Sequence, residues 1–241
     1  MSYYGGVVDA LRVFVVRHGG TRWTRERRFA GSQDVPLDDA GRARAEALAR
    51  LLSPHPIAAV YTSPLQRARA TAALIAAPHG QDVRIEAAFV DMGFGAWEGL
   101  TADEVATRFP EAWTTWREAP AMLTAHGGER VEQAAGRVVG AIGRLQHAHP
   151  GETVVVVSHA IAVRVIVLAA LGLGSDRLWS VDASPAGLTE LEYSRDWVTV
   201  HRMNTLAHLT AVVALADDAG RPGVPGAPDA VAAVLDPEPA P

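Results

Sequence analysis

Leu11-Arg12-Val13-Phe14-Val15-Val16 runs straight into Arg17-His18-Gly19-Gly20, and this stretch decides how the chain reads. A short β-branched, apolar run that breaks off at charged and glycine residues has the pattern of a buried strand delivering a polar turn. The pattern returns twice. Ile57–Tyr61 ends in Thr62-Ser63-Pro64, and Val154-Val155-Val156-Val157, the clearest central strand, ends in Ser158-His159. Each is followed by helical spacing: Ala40 to Leu52, opened by Asp38-Asp39 and carrying Ala43, Ala47, Leu48, Leu51 and Leu52; Leu65 to Ala77, stopped at Pro78-His79-Gly80; and Ile161 to Leu171. Strands that alternate with helices, and strands that are continuously rather than alternately apolar, predict an α/β fold. The expected architecture is a three-layer α/β/α sandwich around a mostly parallel sheet covered on both faces.

Working outward, Val83 to Ala87 reads as a third strand before the loop Asp91-Met92-Gly93-Phe94-Gly95-Ala96-Trp97-Glu98-Gly99. Thr101–Phe109, Glu111–Glu118 and Val131–His147 read as helices, each of the first two opened by a capping or acidic residue. Leu188–Tyr193 and Val198–Arg202 read as a hairpin, and no internal repeat is visible. We expect a domain over residues 11–216, an extension over 1–10, and a disordered tail over 217–241, where six of the fifteen prolines fall within 25 residues.

The chain has 241 residues, room for one large domain or two small ones. Zero cysteine excludes disulfides, thiolate catalysis and Cys-ligated metal centres. A net charge of −5, from 22 basic and 27 acidic residues, argues against general nucleic-acid binding. No stretch reaches the roughly 18–20 apolar residues of a membrane span; Val154 to Leu171 is broken by Ser158, His159 and Arg164. The first residues lack a secretory pattern, so a cytoplasmic location is expected, without membrane or nucleic-acid partners and with a homodimer left open.

Ligands of open parallel sheets bind beyond the carboxyl ends of the strands. Three strands here end in Arg17-His18-Gly19, in Thr62-Ser63 with Arg67 one helical turn on, and in Ser158-His159, so two histidines and two arginines converge from positions about 140 residues apart. Neutral imidazole is a nucleophile and guanidinium a paired donor for phosphate oxygens, which suggests phosphoryl chemistry. Taken singly, an Arg-His-Gly string or a histidine after a strand is more often a turn or a core residue. Neither Gly-x-Ser-x-Gly nor Gly-x-x-x-x-Gly-Lys-Ser/Thr occurs. His147 and His149 read as a solvated loop without an acidic partner, and His55, His79, His126, His201 and His208 are read equally blandly; no metal site is expected. Arg22, Arg25, Arg27 and Arg28 form either a solvated loop or a rim that attracts anions.

Five ordered motifs across residues 11–209 resemble the histidine phosphatase superfamily, also called phosphoglycerate mutase-like. They are Arg17-His18-Gly19 with Thr21-x-Trp23, Phe29-Ala30-Gly31, Leu37 and Gly41; Thr62-Ser63-Pro64-Leu65-Gln66-Arg67-Ala68 with Thr71-Ala72; Phe94-Gly95-x-Trp97-Glu98-Gly99-Leu100; Gly127-Gly128-Glu129; and Val157-Ser158-His159. The resemblance implies a phosphoglycerate mutase-like fold and a metal- and cofactor-free enzyme. In it His18 is the nucleophile that forms a phosphohistidine, while Arg17, Arg67 and His159 bind the phosphoryl oxygens. Thr24, Ala30, Gly31 and Ala160 are the further substrate-binding positions it indicates. His18 must then be neutral, its tautomer set by a carbonyl near Gly19, whereas His159 serves better protonated.

The proton donor of most relatives is a glutamate four residues before the glycine of the Phe-Gly pair; here that position is Asp91. Aspartate is one methylene shorter and about 0.4 units more acidic, so its loop must carry it closer or burial must push it up. Glu98 reads as structural. Gly20, Thr24 and Ala160 also depart from the common pattern, which leaves the substrate open. About sixty residues separate Gly99 from His159, shorter than in the mutase branch, so hydrolysis is favoured. The loop is similar to that of the α-ribazole-phosphate and broad-specificity phosphatase branch. A small phosphosugar, nucleoside-like compound or biosynthetic intermediate is the expected substrate. The alternatives are a mutase-type phosphoryl transferase and a phosphate-binding module without turnover.

Overall fold

The computed structural model describes residues 9–195 and 197–209. The extension expected over 1–10 falls mainly, and the tail over 217–241 wholly, outside the described residues. Thirteen regular elements occur among the described residues: β1 (Leu11–Arg17), α1 (Arg22–Arg25), α2 (Asp39–Leu52), β2 (Ala59–Thr62), α3 (Gln66–Ala76), β3 (Val83–Ile85), α4 (Ala102–Arg108), α5 (Pro110–Glu118), α6 (Val131–Ala148), β4 (Thr153–Ser158), α7 (Ala160–Ala170), β5 (Leu188–Tyr193) and β6 (Val198–Thr205). The sheet order is β3-β2-β4-β1-β5-β6. β3, β2, β4 and β1 are mutually parallel, and β5 and β6 add an antiparallel edge.

The continuous apolar runs have the expected cause. In β4, Val154 and Val156 enter the cluster beneath α6 and α7, while Val155 and Val157 enter the opposite cluster beneath α2 and α3. In β1, Leu11, Val13 and Val15 share the first face, and Phe14 and Val16 the second. All nine of these side chains are at most 1% exposed. Because successive strand residues point to opposite faces, a sheet covered on both sides needs an apolar residue at nearly every position.

Several boundaries differ from the sequence expectation, among them that of β6, which runs on to Thr205 rather than stopping at Arg202. β2 starts at Ala59 rather than Ile57, and β3 stops at Ile85 because Ala87–Phe89 turns into a 3-10 helix capped by the Glu86 side chain. The short α1, closed by a capping box between Thr21 and Thr24, was not legible because four residues carry no periodicity.

The turn after β1 rests on α2. A Cβ on Gly41 would overlap the carbonyl oxygen of Gly20, and one on Gly19 would overlap that of Gly41, so two backbones touch where a side chain would separate them. Gly41→Ala should therefore lower the unfolding free energy by about 1–3 kcal/mol in urea denaturation, the usual range for overpacking a rigid contact. It should also reduce activity, because the displaced turn carries His18.

Candidate active site

Strand register builds the site. Arg17 lies opposite Ser158 across the β1–β4 pair, and Thr62 lies opposite Val157 across β2–β4, so three strands end side by side. Past those ends the pairing continues by one bond each: the His18 N–H donates to the Ser158 carbonyl at 2.9 Å and the Ser63 N–H to the Val157 carbonyl at 3.1 Å. His18, Ser63 and His159 thereby become neighbours, with the two imidazole centroids 5.1 Å apart.

His18 Nδ1 lies 2.6 Å from the Gly19 carbonyl oxygen. A carbonyl only accepts, so Nδ1 carries the proton and Nε2 keeps its lone pair, which no hydrogen bond engages among the described residues. The turn itself is held by the Gly19 N–H donating to Thr71 Oγ1 at 3.1 Å. His159 Nε2 lies 2.8 Å from Ser63 Oγ. Ser63 Oγ accepts from the Leu65 N–H and has its own proton to give to His159 Nε2, an arrangement that places the imidazole proton on Nδ1, on the side of Asp91.

Arg67, from the first turn of α3, is wholly buried; it donates to the Gln33 and Gly31 carbonyls at 2.6 and 2.9 Å and to Asp91 Oδ2 at 3.3 Å. Arg17 donates to the Ala183 carbonyl at 2.6 Å. Asp91 Oδ2 also lies 3.6 Å from His159 Nδ1. Arg17 Nε, Arg67 Nε and His159 Nδ1 are buried donors without a hydrogen-bond partner in the protein. Three such atoms on residues of one cluster suit a polyanionic ligand, because buried donors are rarely left unmatched.

Burial sets the protonation states. It pushes the His18 imidazole well below its ordinary value, with the Arg67 and Arg17 guanidiniums acting the same way, and it does the same to His159, helped by His18, Arg67 and Arg17. It lowers the Arg17 guanidinium to about 10 and pushes the Asp91 carboxyl up, against the pull of Arg67. Burial thus works against the protonated His159 that the sequence reading preferred.

All five catalytic candidates, Arg17, His18, Arg67, Asp91 and His159, converge. The remaining candidates divide. Gly31, at a φ of +50°, presents its carbonyl to Arg67, and Ala30 accepts from the Gln33 N–H. Thr24 spends its hydroxyl on the capping box with Thr21, and Ala160 is the first residue of α7, packed on the core. Glu98 is structural as read: burial raises its carboxyl, but donors from Ser32, Gln33 and Phe94 outweigh that and leave it lowered. Arg22, Arg25 and Arg28 are engaged by Glu26, Asp38 and Glu104.

His149 corrects the sequence reading. It is buried, lies 2.6 Å from Glu152 and 2.9 Å from the Tyr61 hydroxyl, and so has an acidic partner three residues on, whereas His147 and the turn at Pro150 to Glu152 are exposed as read. Sequence reasoning also missed Ser63, Thr71, Arg137 and Arg164 as supports, although Ser63 and Thr71 stood inside a recognised motif. No group of three or more His, Asp or Glu side chains suited to a metal, and no helix long and apolar enough to cross a membrane, occurs among the described residues.

The fold and this cationic cluster define an α/β protein of the phosphoglycerate mutase-like class. Residues 13–206 match the model of the histidine phosphatase superfamily (branch 1), and the chain belongs to that superfamily. It is 30% identical over 199 residues to phosphoserine phosphatase 1 of Hydrogenobacter thermophilus, covering 83% of this chain and 94% of that one. Its structure is similar to YhfR of Bacillus stearothermophilus, with a TM-score of 0.79 at 30% identity over 83% of this chain and 99% of that one. It is also similar to a mycobacterial glucosyl-3-phosphoglycerate phosphatase in complex with VO3, with a TM-score of 0.75 at 26% identity over 80% and 99% of the two chains.

The depressed imidazoles have a consequence for stability. The unfolded chain protonates His18 and His159 near pH 6.5, whereas the folded chain does not. Their contribution is present above pH 6.5 and is lost as pH falls from there toward the folded-state values. Asp91 acts with the opposite sign, since its folded carboxyl holds a proton above the ordinary carboxylate range. Urea denaturation at pH 7.5 and 5.5 should show a smaller acid-side loss for His18→Asn than for the wild-type chain, Asp91 being common to both.

Proposed function

We propose that the protein hydrolyses phosphomonoesters of small metabolites through a phosphohistidine on His18. The observation that carries this reading is the unengaged Nε2 of a neutral, buried His18 beside the unpartnered donors of Arg17, Arg67 and His159. In the first step Nε2 attacks phosphorus in line, the ester P–O bond breaks, and the protonated Asp91 carboxyl gives its proton to the departing alkoxide. In the second step water attacks the phosphohistidine, the P–N bond breaks, and the Asp91 carboxylate takes the proton of that water. Arg17, Arg67 and the Nδ1–H of His159 hold the equatorial oxygens, where preorganised positive donors contribute most of the barrier lowering. A bound phosphoryl dianion raises the His159 imidazole again, so that it is protonated only when charge is there to meet it.

Hydrolysis rather than phosphoryl return is supported by the short segment between the Phe-Gly loop and His159, and by relatives whose names state phosphatase activity. Their names, phosphoserine and glucosyl-3-phosphoglycerate phosphatase, point to a small phosphorylated metabolite bearing a carboxylate or sugar. Incubation with 4-nitrophenyl phosphate at mildly acidic pH tests the reaction: turnover should vanish in His18→Ala, and acid-labile phosphate should be trapped on the wild-type chain alone. Binding of phosphate without turnover would overturn the reading in favour of a binding module, and interconversion of 3-phosphoglycerate in favour of a mutase.

Asp91→Asn should lower kcat on alkyl phosphates by about 10²–10⁴-fold, the usual worth of a positioned general acid, with a far smaller loss on nitrophenyl phosphate. The wild-type kcat on an alkyl phosphate should fall as pH rises through the elevated Asp91 value, because the acid form is the active one; Asp91→Asn should remove that limb.

A further inference from the structure

The segment that carries Asp91 has no regular structure after the 3-10 turn at Ala87–Phe89, yet its carbonyls are almost all engaged by side chains. Arg137, on the second turn of α6, uses all five of its N–H donors in one place. Its Nη1 donates to the Ala88 and Val90 carbonyls, each at 2.7 Å, and its Nη2 to the Asp91 carbonyl at 3.0 Å. Its Nε and Nη2 close a bidentate pair on Glu129 at 2.8 Å each. Glu129 grips the far side of Asp91: its N–H donates to the Gly93 carbonyl at 2.7 Å and its carboxylate accepts from the Gly93 N–H. Ser158, next to His159, donates to the Phe89 carbonyl at 2.7 Å. Four successive carbonyls, from 88 to 91, are therefore fixed from α6 and from the end of β4. The Asp91 carboxylate is then aimed by its own Oδ1, which accepts from the Met92 N–H at 3.0 Å.

We propose that Arg137, locked by Glu129, is the positioning residue that brings the shorter Asp91 side chain into proton-transfer range of the leaving group. Arg137 contacts Asp91 through the main chain, so its hydrogen bonds act on the reaction through where Asp91 stands, while its charge, which also reaches His159, is kept when lysine replaces it. This rests on the reading of Asp91 as proton donor. Lysine keeps the charge of Arg137 but offers a single ammonium that cannot fork to three carbonyls and a carboxylate at once. A displacement of the order of an ångström costs up to about 10²-fold in a proton transfer that depends on alignment.

The test is the dependence of kcat on leaving group, measured with 4-nitrophenyl, phenyl and benzyl phosphate. Arg137→Lys should lose about 10–100-fold on benzyl phosphate and little on 4-nitrophenyl phosphate, steepening the series. Its alkaline limb should move to lower pH as the loosened carboxyl gains water. The charged and titratable groups facing that carboxyl are Arg67 from α3, Arg17 from β1 and His159 after β4, all unaltered in the variant. Glu129→Gln, which removes one charge from the pair while keeping its shape, should give the same pattern and carries the test if Arg137→Lys does not fold. Equal losses along the series, or an unchanged series, in the variants that fold would overturn the inference. Asp91→Asn in the same series separates the two claims: if it too loses evenly, the donor reading fails; if it alone steepens the series, only the positioning role fails.

Discussion

One backbone hydrogen bond, from the His18 N–H to the Ser158 carbonyl, ties the two halves of the site together. It extends the parallel pairing of β1 and β4 by one residue beyond their ends and leaves the two imidazoles side by side. A slip of one residue in this pairing would turn the valines of β4 to the wrong clusters and move His159 away from His18. Both strands are buried on both faces, so each register error would expose or misplace several apolar side chains at once. The precision of the site is thus borrowed from the most strongly specified part of the fold.

Burial does the remaining work, and it acts on the charged groups in opposite directions. It lowers His18, His159 and Arg17, and it raises Asp91. A neutral imidazole and a carboxyl that gives up its proton less readily are what the proposed chemistry asks of these side chains, and one dry environment pushes both in that direction. The cations survive there because the loops around them turn carbonyls inward: Gly31 and Gln33 toward Arg67, Ala183 toward Arg17. Loop 179–183 is itself held by Arg164, which donates to the Val181 carbonyl and stacks over Trp179 at 4.8 Å. Phe94 and Trp97, packed edge-on against Trp116, tie the loop after Asp91 to the core beneath.

The strands and helices that place the site were legible because buried parallel strands write themselves as unbroken apolar runs, and the polar residues that end them stand out. Arg17, His18, Arg67 and His159 could be assigned to one cleft for that reason, and Asp91 followed from a family spacing. What stayed hidden depends on contacts distant in sequence. The partnership of His149 with Tyr61 spans 88 residues, and that of Arg137 with Ala88 spans 49. Thr24 has the hydroxyl a phosphate site needs, but its partner Thr21 turns it into a cap, a choice visible only once α1 exists. The pressure against a protonated His159 escaped notice because it is set by burial and the sum of surrounding cations, which no local string encodes.

Aspartate at position 91 changes where the structural constraint falls. A shorter side chain has fewer rotamers to lose on ordering, but it transfers the whole demand for placement to the backbone. An irregular segment can meet that demand only if its peptide groups are satisfied by something other than secondary structure, since buried carbonyls without donors are costly. Arg137 and Ser158 supply those donors for residues 88 to 91, and Glu129 binds both polar groups of Gly93. Fixing the loop and satisfying its carbonyls are one operation, performed by side chains that never touch the phosphoryl-binding atoms. On the proposed positioning role, the reach lost with one methylene is recovered by a loop held from below by α6, whose arginine does for the backbone what a longer acid would otherwise do for itself.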